Sequence, residues 1–216
     1  MVASQKTICP QVGRAYLKNI SWETYERLLA EKGDQAGARL SYDNGTLEIK
    51  MPSVEHEEPN RTLAHLIELL AEELNLDLRR LGSTTFNRED LAKGFEPDSC
   101  FYIQNAPAIR GKKKLDLKQD PPPDLVIEVD ITSDSLDKFP IFAGLGIPEV
   151  WRFDNGTVTI HKLEGSSYSK AGHSLAFPPL TSEIATQFLA ESETMRSPDW
   201  SRHVREWVRS QSAIQP

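Results

Sequence analysis

The spacing of apolar residues along the chain sets out its elements before any single residue suggests chemistry. Trp22, Tyr25, Leu28 and Leu29 fall on one face of a helix that Ser21 is placed to cap, which predicts a short amphipathic helix over 21–29. Between Pro59 and Leu76, Leu63, Leu66, Ile67, Leu70 and Leu74 recur at three- and four-residue steps and predict a longer helix. Elsewhere the period shortens. Residues 38–42 and 46–51 flank Asp43-Asn44-Gly45, and residues 149–154 and 157–162 flank Asp154-Asn155-Gly156. Asn and Gly tolerate the positive φ of a tight turn, so each pair predicts a β-hairpin. Strand-like stretches follow near 78–86 and 95–103, and an apolar strand over 124–131 is led in by Pro121-Pro122-Pro123. A short helix over 135–144 accepts Pro140 only near its first turn or at a bend, and helices near 182–193 and 199–210 close the chain.

With 216 residues and 38% apolar content, one generous domain can bury a real core. No apolar run approaches bilayer length, and the first residues lack the pattern of a signal peptide, so a cytoplasmic protein without a membrane partner is expected. Cys9 and Cys100 have no metal-ligand spacing and are expected to be free thiols. A formal net charge of -7 argues against a general DNA coat, which binds by neutralising phosphates with Lys and Arg. It is compatible with an enzyme whose centre is itself acidic.

Strand alternation places Asp124, Val126, Glu128 and Asp130 on one face, opposite Leu125, Ile127, Val129 and Ile131. Acids on so apolar a strand are costly to bury unless hydrogen-bonded, solvated or bound to a cation. The preceding strand offers Glu96, Asp98 and Cys100 on one face, and pairing the two strands brings Asp98 near Glu128. Hard oxygen ligands from two strands suit magnesium or manganese, which polarises a phosphate and lowers the pKa of bound water while a nearby lysine stabilises negative charge. Spacing alone leaves two other readings open: acids that are merely solvated or paired, and a carboxylate pair doing general acid and base work as in glycosidases.

Longer motifs narrow the choice. Glu96-Pro97-Asp98 with Ser99-Cys100-Phe101-Tyr102-Ile103, then Pro122-Pro123-Asp124-Leu125-Val126-Ile127-Glu128-Val129, then Lys138, then Gly146-Ile147-Pro148-Glu149-Val150-Trp151 together resemble the bacterial Uma family, restriction-endonuclease-like proteins of the PD-(D/E)XK nuclease superfamily. The likeness runs from about Ser21 to about Leu189 and includes Met51-Pro52-Ser53-Val54-Glu55-His56. It implies an α/β (α+β) fold, a restriction-endonuclease-like mixed β-sheet core flanked by helices with extra β-hairpins and the site at one sheet edge. That core would span 21–190, between an N-terminal arm over 1–20 and a C-terminal helical extension over 191–216. The resemblance further implies a Mg2+- or Mn2+-dependent endonuclease acting on DNA, with Asp98 and Glu128 as metal ligands and Lys138 as the lysine. The superfamily pattern calls for lysine two positions after Glu128, where this chain has Asp130, so the role passes to a lysine outside the strand. Asp130 is then an extra ligand or an acid paired with an arginine.

Glu55, His56 and Glu57 are expected just ahead of the long helix, where carboxylates are favoured by its dipole. Glu57 or Glu55 is a candidate accessory acid, and His56 matches the family pattern without an assignable role. His161 and His173 lack partners at ligand spacing and are expected at the surface or in packing. Lys112, Lys113 and Lys114, and separately Arg196, Arg202, Arg205 and Arg209, are the groups available to a phosphate backbone, against the plainer reading of solvated surface. Trp200 and Trp207 share a helix face toward the domain or a second subunit, and a homodimer would pair two centres for duplex cutting. The competing function, supported by the displaced lysine, is a catalytically silent module for DNA or protein binding.

Overall fold

The computed structural model describes residues 13–33, 37–130 and 136–212. Cys9, Ile131 and Ser135 lie outside these residues. In chain order the elements are β1 (Arg14–Leu17), α1 (Trp22–Lys32), β2 (Arg39–Asp43), β3 (Thr46–Lys50), α2 (Val54–Glu73), β4 (Arg79–Arg80), β5 (Phe86–Arg88), β6 (Lys93–Phe95) and β7 (Ser99–Tyr102). There follow β8 (Leu125–Asp130), α3 (Phe139–Gly144), β9 (Glu149–Asp154), β10 (Thr157–Glu164), β11 (Ser167–Lys170), α4 (Ser182–Ser192) and α5 (Ser197–Ser212).

Local chemistry sets the ends of these elements. The Thr24 amide donates to Ser21 Oγ at 3.3 Å to start α1, and Gly33, at a φ of 58°, returns its N–H to Leu29 O to end it. Both predicted hairpins form, with Asn44 at φ 46° and Asn155 at φ 47° in the turns. α2 begins five residues before the predicted Pro59, because the Ser53 carbonyl already accepts the His56 and Glu57 amides. Pro59 costs this helix one amide in its second turn and does not stop it. His56 and Glu57 therefore belong to the first turn of α2, not to a segment ahead of it. The predicted strands near 78–86 and 95–103 break into four short ones, and β11 adds a strand that the pattern did not suggest.

Two sheets result. The smaller is antiparallel, in the order β1-β3-β2-β6-β5, and the larger is mixed, in the order β11-β10-β9-β8-β7-β4, with β8 and β9 parallel. One face of the larger sheet, carrying Leu125, Ile127, Val129 and Trp151, packs under α2, α4 and α5 in the main core. On the opposite face Cys100, a free and buried thiol, joins Val126, Val150 and Phe142 in a second core, while Tyr25, Tyr42 and Leu47 fill a third between α1 and the smaller sheet. Two expectations change here. β8 lies between β7 and β9 in the middle of its sheet, not at an edge. Two residues of its acidic face also serve the fold alone: Val126 is in the second core, and Asp124 is a structural anchor whose Oδ2 accepts the Ile103 and Asn105 amides at 2.7 and 2.9 Å. Trp200, Val204 and Val208 of α5 are buried in the main core with Trp207 packed beside them, so both tryptophans face this chain's own domain.

Candidate active site

The register of β7 on β8 sets Ser99 opposite Ile127, and one step further Asp98 meets the end of β8. There its Oδ2 accepts the Val129 amide at 2.7 Å. Glu128 projects from β8 beside it. Glu96 and Cys100 do not share this place: Glu96 accepts from Lys32, Thr85 and the Leu40 amide, and Cys100 sits in the second core.

Above this point the smaller sheet contributes β3. Leu47 and Ile49 turn to the third core, so by alternation Glu48 and Lys50 turn toward the larger sheet. Lys50 Nζ donates to Asp98 Oδ2 at 3.0 Å, Asp98 Oδ1 at 3.3 Å, Glu128 Oε1 at 3.1 Å and Val129 O at 2.8 Å. Lys138, the residue just before α3, donates to the same Glu128 Oε1 and lies 3.2 Å from Glu48 Oε2. From the start of β2, Arg39 binds Asp98 through one nitrogen and Glu57 at 2.8 Å through the other. His56 Nε2 meets Asp98 Oδ2 at 2.9 Å, and Asn60, one turn on, donates to the Asp98 carbonyl at 3.3 Å while accepting from Ser99 Oγ at 2.9 Å.

Nearly all of this is withdrawn from solvent: Asp98, Glu128, Lys50, Lys138 and Glu48 are each at most 7% exposed. Buried charge is tolerable only when paired and hydrogen-bonded. Burial by itself would raise the Asp98 pKa, but Lys50, His56 and Arg39 outweigh it and hold the carboxyl well below the usual carboxylate range. For Lys138 burial works the other way and is again outweighed, by Glu128, Glu48 and Asp98, so its ammonium is stabilised and its pKa raised. Glu48 is likewise lowered despite burial, chiefly by Lys138. The site is a lattice of fixed charges.

Of the residues singled out from sequence, the fold brings Asp98, Glu128, Lys138 and His56 together, and Glu57 joins through Arg39. Asp130 stands apart as an acid paired with arginines, 3.1 Å from both Arg14 and Arg152. Glu55 is exposed, as is His173, whereas His161 is a packing residue against Phe139. Sequence reasoning missed Lys50, Glu48 and Arg39. Their one signal was the polar half of the alternation in a predicted hairpin, which ordinarily marks a solvated face.

Two cavities flank the buried acids. A cleft of about 880 Å³ runs past Arg39 and Glu57 and is lined by Lys112, Lys113 and Lys114 together with Lys32, Arg61 and Arg79; Glu57 and Glu96 are its acids. On the other side a cavity of about 150 Å³ is lined by Glu128, Asp130, Lys138 and Arg152. The C-terminal arginines are spent elsewhere: Arg205 and Arg209 bind Glu72 and Glu73 of α2, and Arg196 and Arg202 lie near Asp199. Among the described residues no helix is long and apolar enough to cross a membrane.

No curated protein matches the chain. A crystal structure of a "putative nuclease belonging to DUF820" from Anabaena variabilis aligns at 16% identity over 69% of this chain and 90% of that chain, with a TM-score of 0.48. The pattern of the Uma2 family, described as "putative restriction endonuclease", matches residues 22–194, from the first residue of α1 to just beyond α4. That span holds Asp98, Glu128, Lys138, Lys50, Glu48, Arg39 and His56, and the chain belongs to the Uma2 family of restriction-endonuclease-like proteins.

Proposed function

We propose that the protein is a divalent-metal-dependent endonuclease that hydrolyses DNA phosphodiester bonds at Asp98 and Glu128. The observation that carries this reading is the convergence of two carboxylates and the Val129 carbonyl on one point, beside a lysine and next to a basic cleft whose Arg39 binds Asp98.

The donor set suits a hard cation. Glu128 Oε2 is buried with no hydrogen-bond partner among the described residues, an acceptor left over for a further ligand. The same residues contain no group of three or more His, Cys, Asp or Glu side chains placed to cage a metal. Two carboxylates and a carbonyl are nonetheless enough for magnesium or manganese, which keep several of their waters. When bound, such an ion polarises the scissile phosphate and lowers the pKa of its water. Asp98 and Glu128 would hold it, and His56 and the Val129 amide fix the Asp98 carboxylate that they bind. Lys138, kept charged by its acidic neighbours, offsets negative charge gathering on the phosphate. DNA as the substrate is supported by the cleft, whose cations meet it near Arg39, the residue that also touches Asp98.

A second reading is favoured by the same lattice. Asp130 replaces the expected lysine, and the acids are already neutralised by the chain's own cations, as suits a silent module that binds DNA or a protein. Pairing of two centres in a homodimer belongs to the endonuclease reading alone.

The test is cleavage of supercoiled, linear and single-stranded DNA by the full chain with Mg2+, Mn2+ or EDTA, beside Asp98→Asn, Glu128→Gln and Lys138→Met. Cutting that requires metal and falls by roughly 100-fold or more in each variant is the expected result, the usual scale for loss of one electrostatic group from a reacting centre. Folded wild-type protein that binds DNA but leaves every substrate intact would sink the endonuclease and leave the module.

A further inference from the structure

We infer that Lys50 is a tethered cation holding the place of the divalent ion, so that metal binds at Asp98 and Glu128 by displacing its ammonium; this rests on the nuclease reading above. The geometry is direct. A single nitrogen, Lys50 Nζ, touches all three groups of the donor set: Asp98 at 3.0 and 3.3 Å, Glu128 at 3.1 Å and Val129 O at 2.8 Å. An ammonium has three hydrogens to give, and these acceptors use them all.

The backbone beneath it is fixed. Lys50 pairs with Arg14 of β1 on one side and Arg39 of β2 on the other, so the strand cannot withdraw and any release is a rotation of the four-carbon stem. At 3% exposure the ammonium has no route by which water could replace the carboxylates in place. A dication placed among the same oxygens would sit against an unscreened monocation, and only one of the two can stay.

Charge also orders the exchange. Replacing a monocation by a dication adds one positive charge, and one phosphodiester carries one negative charge. Metal and substrate together thus return the site to the net charge it carries with Lys50 in place, and metal binding should tighten when DNA is bound. Lys138 remains on Glu128 throughout, which separates the roles of the two lysines: one yields to the metal and the other serves beside it.

The experiment is calorimetric titration of Mn2+ into the full-length wild type, Lys50→Met and Lys50→Arg. Lys50→Met should bind Mn2+ more tightly by a factor inside the roughly 5–150-fold span of ordinary coupled sites, and Lys50→Arg, which keeps the charge, should bind no more tightly than wild type. Equal binding by wild type and Lys50→Met would overturn the displacement and leave the metal reading standing. No binding by any of the three folded proteins, with or without DNA, would overturn the metal reading and the displacement with it. Should Lys50→Met fail to fold, wild type with 13C-labelled lysine decides the matter: the Lys50 ε-methylene signal shifts on Mg2+ saturation, and a signal unmoved while metal binds overturns the inference.

Discussion

His161 shows how one buried side chain can set a pH response. It packs against Phe139 with ring centroids 4.8 Å apart and the rings tilted by 54°, and its Nδ1 has no hydrogen-bond partner among the described residues. Burial lowers its pKa against the opposing pull of the Thr159 backbone, and the positive charges of Arg152 and Lys170 act with burial. The unfolded chain takes up this proton near the ordinary imidazole value of about 6.5, before the folded chain does. Stability is therefore full above that value and declines as pH falls from it toward the depressed folded value. Urea unfolding followed from pH 7.5 to 5 should show that decline in wild type and a flatter profile in His161→Gln; parallel profiles would remove His161 as the cause. At the same scale, the strand lacks a lysine two positions after Glu128, yet two lysines from elsewhere donate to Glu128. Lys138 was reachable by its place in a family motif, whereas Lys50 lies 78 residues before Glu128 and had nothing in its own strand to mark it.

Among the elements, β9 owes its seating to a charge inside the fold. Glu149 is fully buried, and its carboxylate accepts from Trp151 Nε1 at 2.5 Å and from the Leu175 and Ala176 amides at 2.8 and 3.0 Å. One residue thus ties the 174–177 loop to the strand that runs parallel to β8. Burial raises its pKa against the pull of these hydrogen bonds. Glu149→Leu leaves three donors unmet, two of them buried, and should cost roughly 2 kcal/mol or more in chemical denaturation, whereas Glu149→Gln, which keeps a carbonyl acceptor, should cost less. A similar loss in both would mean that the carboxylate matters for something other than those donors. The sequence marked this glutamate as part of a Pro-Glu-Val-Trp motif, which holds its Trp151 partner, but gave no sign of the other two, because they come from a loop 26 and 27 residues away.

For the whole molecule, the net charge of -7 conceals a basic cleft, and the distribution of charge decides where a polyanion can lie. Lys112 is paired with Asp120, so replacing Lys113 and Lys114 by alanine should weaken DNA binding across all sequences and reduce the slope of log K against log salt by roughly one for each phosphate that is no longer neutralised. Replacing Arg205 and Arg209 instead should leave that slope unchanged, since both are occupied by α2; the reverse pattern in a salt titration would move the DNA to the helical face. By itself the sequence determined the hairpins, the long helix, the closing helices and the apolar strand, because turn residues and periodicity act over a few neighbours. Motif order likewise made the family and the pair Asp98 and Glu128 legible. Only tertiary structure decided that β8 is central, that its acids are buried, and that Glu48 and Lys50 complete the site. Those facts depend on one sheet lying over another, which turns a strand's polar face from solvent to interior, and no local pattern of residues distinguishes the two.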